Sequence, residues 1–407
     1  MTKQRYISLI LILGSLTALG PFSIDMYLPG FSSIAKDLDT TVNNVSLSLS
    51  SYFIGISAGQ LLYGPLLDRF GRKKPLYIGL IIYIIASLGC SLITDINWFI
   101  GLRFIQAVGS CAAAVAAMTM VRDLFPINDT PKVFSLLMLV VGLSPMLAPT
   151  IGGYVIAGFG WHMVFIILMV MGIGILLASK FGLPHTKEPD LSISLKPKPI
   201  LHNFLQVLKN PQFAAYAFSG AVAFSGLFTY VAGSPILFMD IFKVGEKTYG
   251  WIFAFMSLSF IGSSQLNSLL LRRFKSEQLV FAALVLQCFI ASFFLLAAYN
   301  DWLDLYGAIA MLFLFLACLG LSNPNTAGLS LAPFSKNAGS ASALLGALQL
   351  GLGALSSIAV GIFVKDSMIP MVSIMVCGSI LALLILLFGR TKIKSVKEAE
   401  TTSLPIA

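Results

Sequence analysis

Charge is scarce in this chain. Of 407 residues, only 11% are Asp, Glu, Lys or Arg, 57% are hydrophobic, and the mean hydropathy is +0.90. Soluble proteins carry roughly 25% charged residues, so water is excluded as the solvent for most of this surface and lipid is left. Histidine is scarcer still. His162, His185 and His202 form no H-E-x-x-H or similar grouping, so no metal is implied. The five cysteines lie in apolar runs without C-x-x-C spacing and read as small packing residues. No G-x-x-x-x-G-K-[ST] loop occurs, which excludes an ATPase within the chain, and no cofactor is implied. The net charge of +9 is spread over many short loops, which argues against a nucleic-acid partner.

What the chain has in abundance is apolar runs of the roughly 20 residues that a spanning helix needs. Six are expected at 7–28, 45–67, 76–94, 98–120, 133–157 and 162–181, and six more at 212–238, 248–270, 278–298, 303–322, 340–363 and 369–389. Lys3 and Arg5 precede the first run as in a signal peptide, but no small-residue cleavage site follows, so it reads as an uncleaved span. The expected fold is an all-α membrane protein with twelve transmembrane helices in two six-helix pseudo-repeats. The boundaries follow: an N-terminal half over 1–183, a proline-rich cytoplasmic linker over 184–211, a C-terminal half over 212–390 and a cytoplasmic tail over 391–407. With the N-terminus inside, 21 of the 26 basic residues fall on the cytoplasmic side and four (Lys36, Lys243, Lys247 and Lys365) on the other. That asymmetry predicts both termini in the cytoplasm.

Two charges stand out inside spans, away from their ends, where each costs about 2.5–3.5 kcal/mol on insertion scales. They are Asp25, in the outer half of the first span, and Arg103, at similar depth in the fourth. Equal depth permits an ion pair. A structural pair or a snorkelling Arg103 is one reading; the other is a titratable carboxylate tuned by a nearby cation in a substrate cavity. Arg103, Gln106 and Ser110 share a stripe of the fourth span, and Tyr52 and Gln60 a weaker one of the second. Phe228 and Tyr230 on the seventh span join Tyr52, Gln60 and Gln106 as cavity candidates. Gly55-Ile56-Ser57-Ala58-Gly59 matches the G-x-S-x-G nucleophile elbow, but it lies in mid-span, where a Gly-x-x-x-Gly helix contact explains it better. An enzyme is therefore not expected.

Three motifs carry a family resemblance. Gly64-Pro65-Leu66-Leu67-Asp68-Arg69-Phe70-Gly71-Arg72-Lys73-Lys74 resembles the loop 2–3 signature of the major facilitator superfamily. Leu102–Gly109, around Arg103, is similar to the family's span 4 signature. Pro145-Met146-Leu147-Ala148-Pro149-Thr150-Ile151-Gly152-Gly153 resembles its antiporter motif, with Ala148 where many members have Gly. Ser23–Pro29, Val121–Phe125, Gly233-Ser234-Pro235 and Ala338–Ser342 resemble the bicyclomycin/chloramphenicol-resistance (Bcr/CflA) branch of drug:proton antiporters.

The resemblance implies a bacterial inner-membrane protein, expected to act as a monomer, that exports a small molecule against protons by alternating access. Asp25 would be the coupling or cation-recognition site. Thr17 stands where some relatives carry a second acid, which points away from a two-carboxylate mechanism. Gly64, Asp68, Arg69, Gly71, Arg72 and Arg122 would form a conformational latch, with Asp68 bridging Arg122 and the start of the eleventh span near Asn337–Gly339. Pro145, Pro149, Gly152 and Gly153 would shape the antiporter helix. A transporter of an endogenous metabolite is the alternative. The driving force suffices without ATP: a pH unit supplies about 1.4 kcal/mol per proton, and 100 mV adds roughly 2.3 kcal/mol.

Overall fold

The computed structural model describes residues 3–126, 129–184, 189–190, 197–334, 338–363 and 367–402. His185, Lys187, Lys196, Lys336, Asn337 and Lys365 lie outside them. Among the described residues fourteen α-helices follow one another: α1 (Lys3–Asp25), α2 (Phe31–Asp37), α3 (Val42–Phe70), α4 (Lys73–Leu92), α5 (Ile96–Leu124), α6 (Thr130–Phe159) and α7 (His162–Gly182). Then come α8 (Pro197–Leu208), α9 (Pro211–Pro235), α10 (Glu246–Leu270), α11 (Ser276–Tyr299), α12 (Leu305–Leu331), α13 (Ala338–Phe363) and α14 (Ile369–Thr402). No strand occurs among the described residues.

All of these except α2 and α8 correspond in order to the expected twelve spans. Eleven are long and apolar enough to cross a bilayer. The twelfth, α10, is equally long at 25 residues but carries Ser257, Ser259, Ser263, Gln265, Asn267 and Ser268, which dilute its hydropathy. Local chemistry sets the ends. Asp95 accepts from the backbone N–H of Asn97 and Trp98 at 2.8 and 3.1 Å, and Asp304 from that of Gly307 at 2.7 Å. Gly71 closes α3 at φ +78°, a conformation that favours glycine.

Three expected boundaries shift. The first span runs past residue 28 to Asp37: α1 gives way after Asp25 to a 3-10 turn over Leu28–Gly30, entered at Pro29, that leads into the short α2. Part of the stretch read as a linker is helical: Pro197 starts α8, and its partner Val207 packs with Phe213, Ala217, Ala341 and Leu345. The stretch read as a tail continues α14 to Thr402.

The chain packs as two compact units. One comprises residues 1–195, 231–258 and 357–367; the other comprises 196–230, 259–356 and 368–407. Parts of α9, α10 and α13 fall in the same unit as α1–α7. Inside the first unit small residues explain the clustering. A side chain at Gly55 would lie 2.7 Å from Ala107 Cβ and from the Phe104 carbonyl, and one at Gly59 2.8 Å from Cys111 Cβ. The G-x-S-x-G sequence is thus a close α3–α5 contact. In the second unit α11 packs against α12 and α14, with Gln287 donating to Ser379 at 3.2 Å.

Candidate functional site

Arg103 is fully buried on α5. Its guanidinium lies between two tyrosine rings, 4.3 Å from the centroid of Tyr27 and 4.3 Å from that of Tyr52. Phe165 stands 5.7 Å away. One terminal nitrogen donates to Gln106 Oε1 and the other to the Ser23 carbonyl at 2.9 Å. A desolvated cation between aromatic faces gains about 2 kcal/mol per contact, and the carbonyl and amide oxygens take up its donors. Nε finds no partner among the described residues.

The cage is built by helical spacing. Gln106 sits one turn beyond Arg103 and donates to Ser87 on α4 at 2.7 Å; Ser110, a further turn on, bonds the Tyr52 hydroxyl at 2.8 Å. Ser23 bonds Tyr83 at 2.7 Å, and Tyr27 bonds Ser48 at 3.1 Å. Phe99, Phe165 and Trp161 continue the aromatic packing at ring separations of 5.5–5.9 Å. Arg103, Gln106, Ser110 and Tyr52 therefore belong to one network joining α1, α3, α4 and α5.

Asp25 does not belong to it. The ion pair that equal depth permits is not made, because the two tyrosine faces, Ser23 and Gln106 already occupy the guanidinium. Asp25 ends α1 only 4% exposed, with no hydrogen bond or salt bridge among the described residues. The protein thus holds a buried carboxylate without a cation and a buried cation without a carboxylate.

The remaining expected residues fall into three places. Gln60 is half-buried on α3, two turns beyond the cage. Phe228 and Tyr230 are buried in the second unit, where Phe228 meets Phe224 edge-on at 5.5 Å and lies against Gly353. In the loop after α3, Arg72 donates to Asp68 and to Asp123, each at 2.8 Å. Partial burial opposes the Arg72 charge, but bonds to Asp123 and Asp68 outweigh it and raise its pKa. Arg122 is engaged by the Phe134 ring at 5.9 Å rather than by Asp68, which corrects that part of the expected latch. Arg72 instead engages Asp123, one residue on; an Arg-Asp pair at the end of a span beside a basic loop is the signal that could have found it. Arg69 lies 5.8 Å from the Phe70 ring, and Gly64 faces open space.

On α6, Gly152 lies directly against the backbone carbonyl of Met26, and a side chain at Gly153 would lie 2.6 Å from the Glu246 carbonyl. Thr150 donates to the Gly250 carbonyl at 3.1 Å, and a side chain at Gly250 would lie 2.8 Å from the Pro149 carbonyl. Pro145 and Pro149 stand inside the helix, where each removes one backbone donor. The antiporter-like segment is thus the ridge on which α1 and α10 meet α6 backbone to backbone.

A helical bundle with a buried charge network and glycine-lined helix contacts defines a membrane transporter. The family model described as Major Facilitator Superfamily matches residues 13–357, and the chain belongs to that family. It is a multi-pass membrane transport protein and not an enzyme. It is 33% identical over 396 residues to the uncharacterized MFS-type transporter YdgK of Bacillus subtilis, covering 96% of this chain and 97% of that one. It is 33% identical over 362 residues to the bicyclomycin resistance protein homolog of Haemophilus influenzae, covering 89% and 91%. It is 31% identical over 379 residues to the multidrug resistance protein MdtL of Escherichia coli, covering 92% and 93%. In fold it matches a D-xylose–proton symporter at a TM-score of 0.74 and 15% identity, covering 94% of this chain and 97% of that one. A bacterial homolog of the human lysosomal transporter Spinster matches at 0.71 and 14%, covering 96% of each.

Proposed function

We propose that this protein exports small amphiphilic molecules, drugs among them, across a bacterial inner membrane in exchange for protons. It works as a monomer by alternating access, with both termini in the cytoplasm. The observation that carries this reading is the buried, unpaired carboxylate of Asp25. A carboxylate in a dry site without a cation binds a proton readily and yields it when a cation or water approaches, which is what a coupling site requires. Arg103, held two residues from Asp25 by the Ser23 carbonyl, is the fixed charge against which that proton is exchanged. The relatives named for bicyclomycin and multidrug resistance favour export of drugs over uptake of a nutrient.

The test is drug susceptibility in a host stripped of its own efflux pumps. Expression of the native chain should raise the inhibitory concentration of chloramphenicol-like, bicyclomycin-like or dye compounds. Both a proton uncoupler and Asp25→Asn should cancel the gain. Unchanged susceptibility across the panel would favour export of a metabolite, and accumulation down an inward substrate gradient would overturn export.

The Asp68–Arg72–Asp123 network is proposed as the cytoplasmic latch. These ion pairs are partly exposed, so each contributes only about 1 kcal/mol or less to stability. Asp68→Asn and Asp123→Asn are therefore expected to slow export while leaving expression and thermal unfolding nearly unchanged. Native export rates in both variants, measured at matched protein amounts, would remove the latch.

A further inference from the structure

In the second unit α9, α12 and α13 touch one another pairwise. Gly220 of α9 lies on Thr326 of α12, where a side chain would stand 2.6 Å from Oγ1. Two turns further along α9 the Phe228 ring lies on Gly353 of α13, and Ser356 donates to the Ser225 carbonyl beside it at 3.0 Å. Gln349 of α13 joins α12 by donating from Nε2 to Asn323 Oδ1 at 2.9 Å. The two contacts on α9 are about 12 Å apart along its axis, and Phe224 stands midway between them on the same face. Successive spans alternate in direction, so α12 runs against α9 and α13 runs along it. Asn323, one turn before Thr326, and Gln349, one turn before Gly353, therefore both fall at the depth of Phe224.

The three helices open at that depth. Phe224 is half-buried although Gly220 and Phe228 on either side of it are buried, and Asn323 and Gln349 are half-buried too. Phe224 meets Phe228 edge-on at 5.5 Å and Phe260 of α10 at 6.1 Å, which fixes its ring. Pro324 separates Asn323 from Asn325, and the two amides are used differently. Asn325 is buried and donates twice, to Asn267 Oδ1 at 2.6 Å and to the Leu321 carbonyl at 2.8 Å, which makes it a fixed link to α10. The Asn323 amide nitrogen and Gln349 Oε1 make no hydrogen bond among the described residues. Lipid offers such groups no partner, so an open amide pair within a span calls for water or a ligand. No Asp, Glu, Lys or Arg occurs in α9, α12 or α13.

We propose that Asn323, Gln349 and the Phe224 ring form a cargo subsite that selects neutral molecules carrying an amide or hydroxyl group beside an apolar body. The Asn323 amide hydrogens meet a carbonyl or hydroxyl oxygen of the cargo, and Gln349 Oε1 meets its N–H or O–H. The Phe224 ring takes the apolar part. A charged group would lose its water here and find no counter-charge on the three helices, so the subsite discriminates against ions. This inference deepens the export reading by naming the cargo chemistry, and it is measurable as binding without transport.

The experiment measures binding to the purified full-length protein with two probes. Chloramphenicol is neutral and carries an amide and hydroxyls; tetraphenylphosphonium is a cation with an apolar body and no hydrogen-bonding group. The native chain should prefer chloramphenicol. Gln349→Met keeps the side-chain length and removes the amide, and it should weaken chloramphenicol about tenfold more than tetraphenylphosphonium, the equivalent of one or two net hydrogen bonds. Asn323→Asp keeps an acceptor for Gln349, and with it the α12–α13 link, so it carries the test if Gln349→Met does not fold. It removes the two open donors and adds negative charge, so it should weaken chloramphenicol and strengthen tetraphenylphosphonium. Phe224→Ala removes the wall and no polar group, and it should weaken both probes. The subsite is overturned if the native chain does not bind chloramphenicol, or if either amide variant binds both probes as the native chain does. Parallel loss of both probes and of thermal stability in the amide variants would make the pair a helix link only. Selectivity that shifts as expected in a chain whose export ignores a proton uncoupler would keep the subsite and remove proton exchange.

Discussion

Arg103→Lys is expected to abolish export although it keeps the charge. The guanidinium is a flat plate with two tyrosine rings against it, while its edge donates to Ser23 and Gln106. An ammonium is a compact point charge and cannot present two faces and a forked edge together. Lysine would leave a ring face empty and at least one of the two buried oxygens without its donor, at about 1–3 kcal/mol per unsatisfied group. The cage joins α1, α3, α4 and α5, so this loss should appear as lower thermal stability in detergent as well as lost export. Tyr52→Leu, which removes one face, should lose less, and Tyr52→Phe, which keeps the ring and gives up only the bond to Ser110, less again. That order, read from dye efflux at matched protein amounts, separates stacking from charge alone. Wild-type export by Arg103→Lys would show that the aromatic cage is irrelevant to function.

The sequence displays the stripe of this cage but not its walls. Arg103, Gln106 and Ser110 recur at helical spacing on one span, so one face was readable from period alone. The walls come from Tyr27 and Tyr52 on two other helices, and no periodicity states which helices touch. Equal depth made Asp25 the obvious partner for Arg103, yet depth fixes only one coordinate of three. The rotation of α1 and α5 decides the rest, and it turns the Ser23 carbonyl, not the Asp25 carboxylate, towards the guanidinium. The same holds for Arg122: the basic cluster is legible, but a one-residue step on α5 turns Arg122 to Phe134 and Asp123 to Arg72. Gly55, Gly59, Gly152 and Gly153 lie at close helix approaches, where absence of a side chain permits the contact, whereas Gly64 and Gly158 face open space, so glycine in a span does not by itself mark one.

Gly152→Val is expected to be as damaging as the loss of Arg103, by a wholly steric route. A Cβ at this position would overlap the Met26 carbonyl oxygen. Most tight contacts relax by a rotamer change in the neighbour, but this neighbour is backbone, held where α1 gives way to the 3-10 turn. The α6 ridge must therefore shift away from α1, and with it the Gly153–Glu246 and Thr150–Gly250 contacts to α10. Overpacking of this kind costs about 1–3 kcal/mol, or roughly a tenfold to hundredfold change in a two-state closure. Met26 follows Asp25 directly, so the displaced carbonyl moves the carboxylate too. Export should fall by a comparable factor while the protein still reaches the membrane. Gly158→Val on the same helix supplies the control, since a side chain there meets nothing within 4 Å; it should export normally. Equal behaviour of the two variants would mean that α6 does not act through its contact with α1, and the ridge would lose its mechanical role.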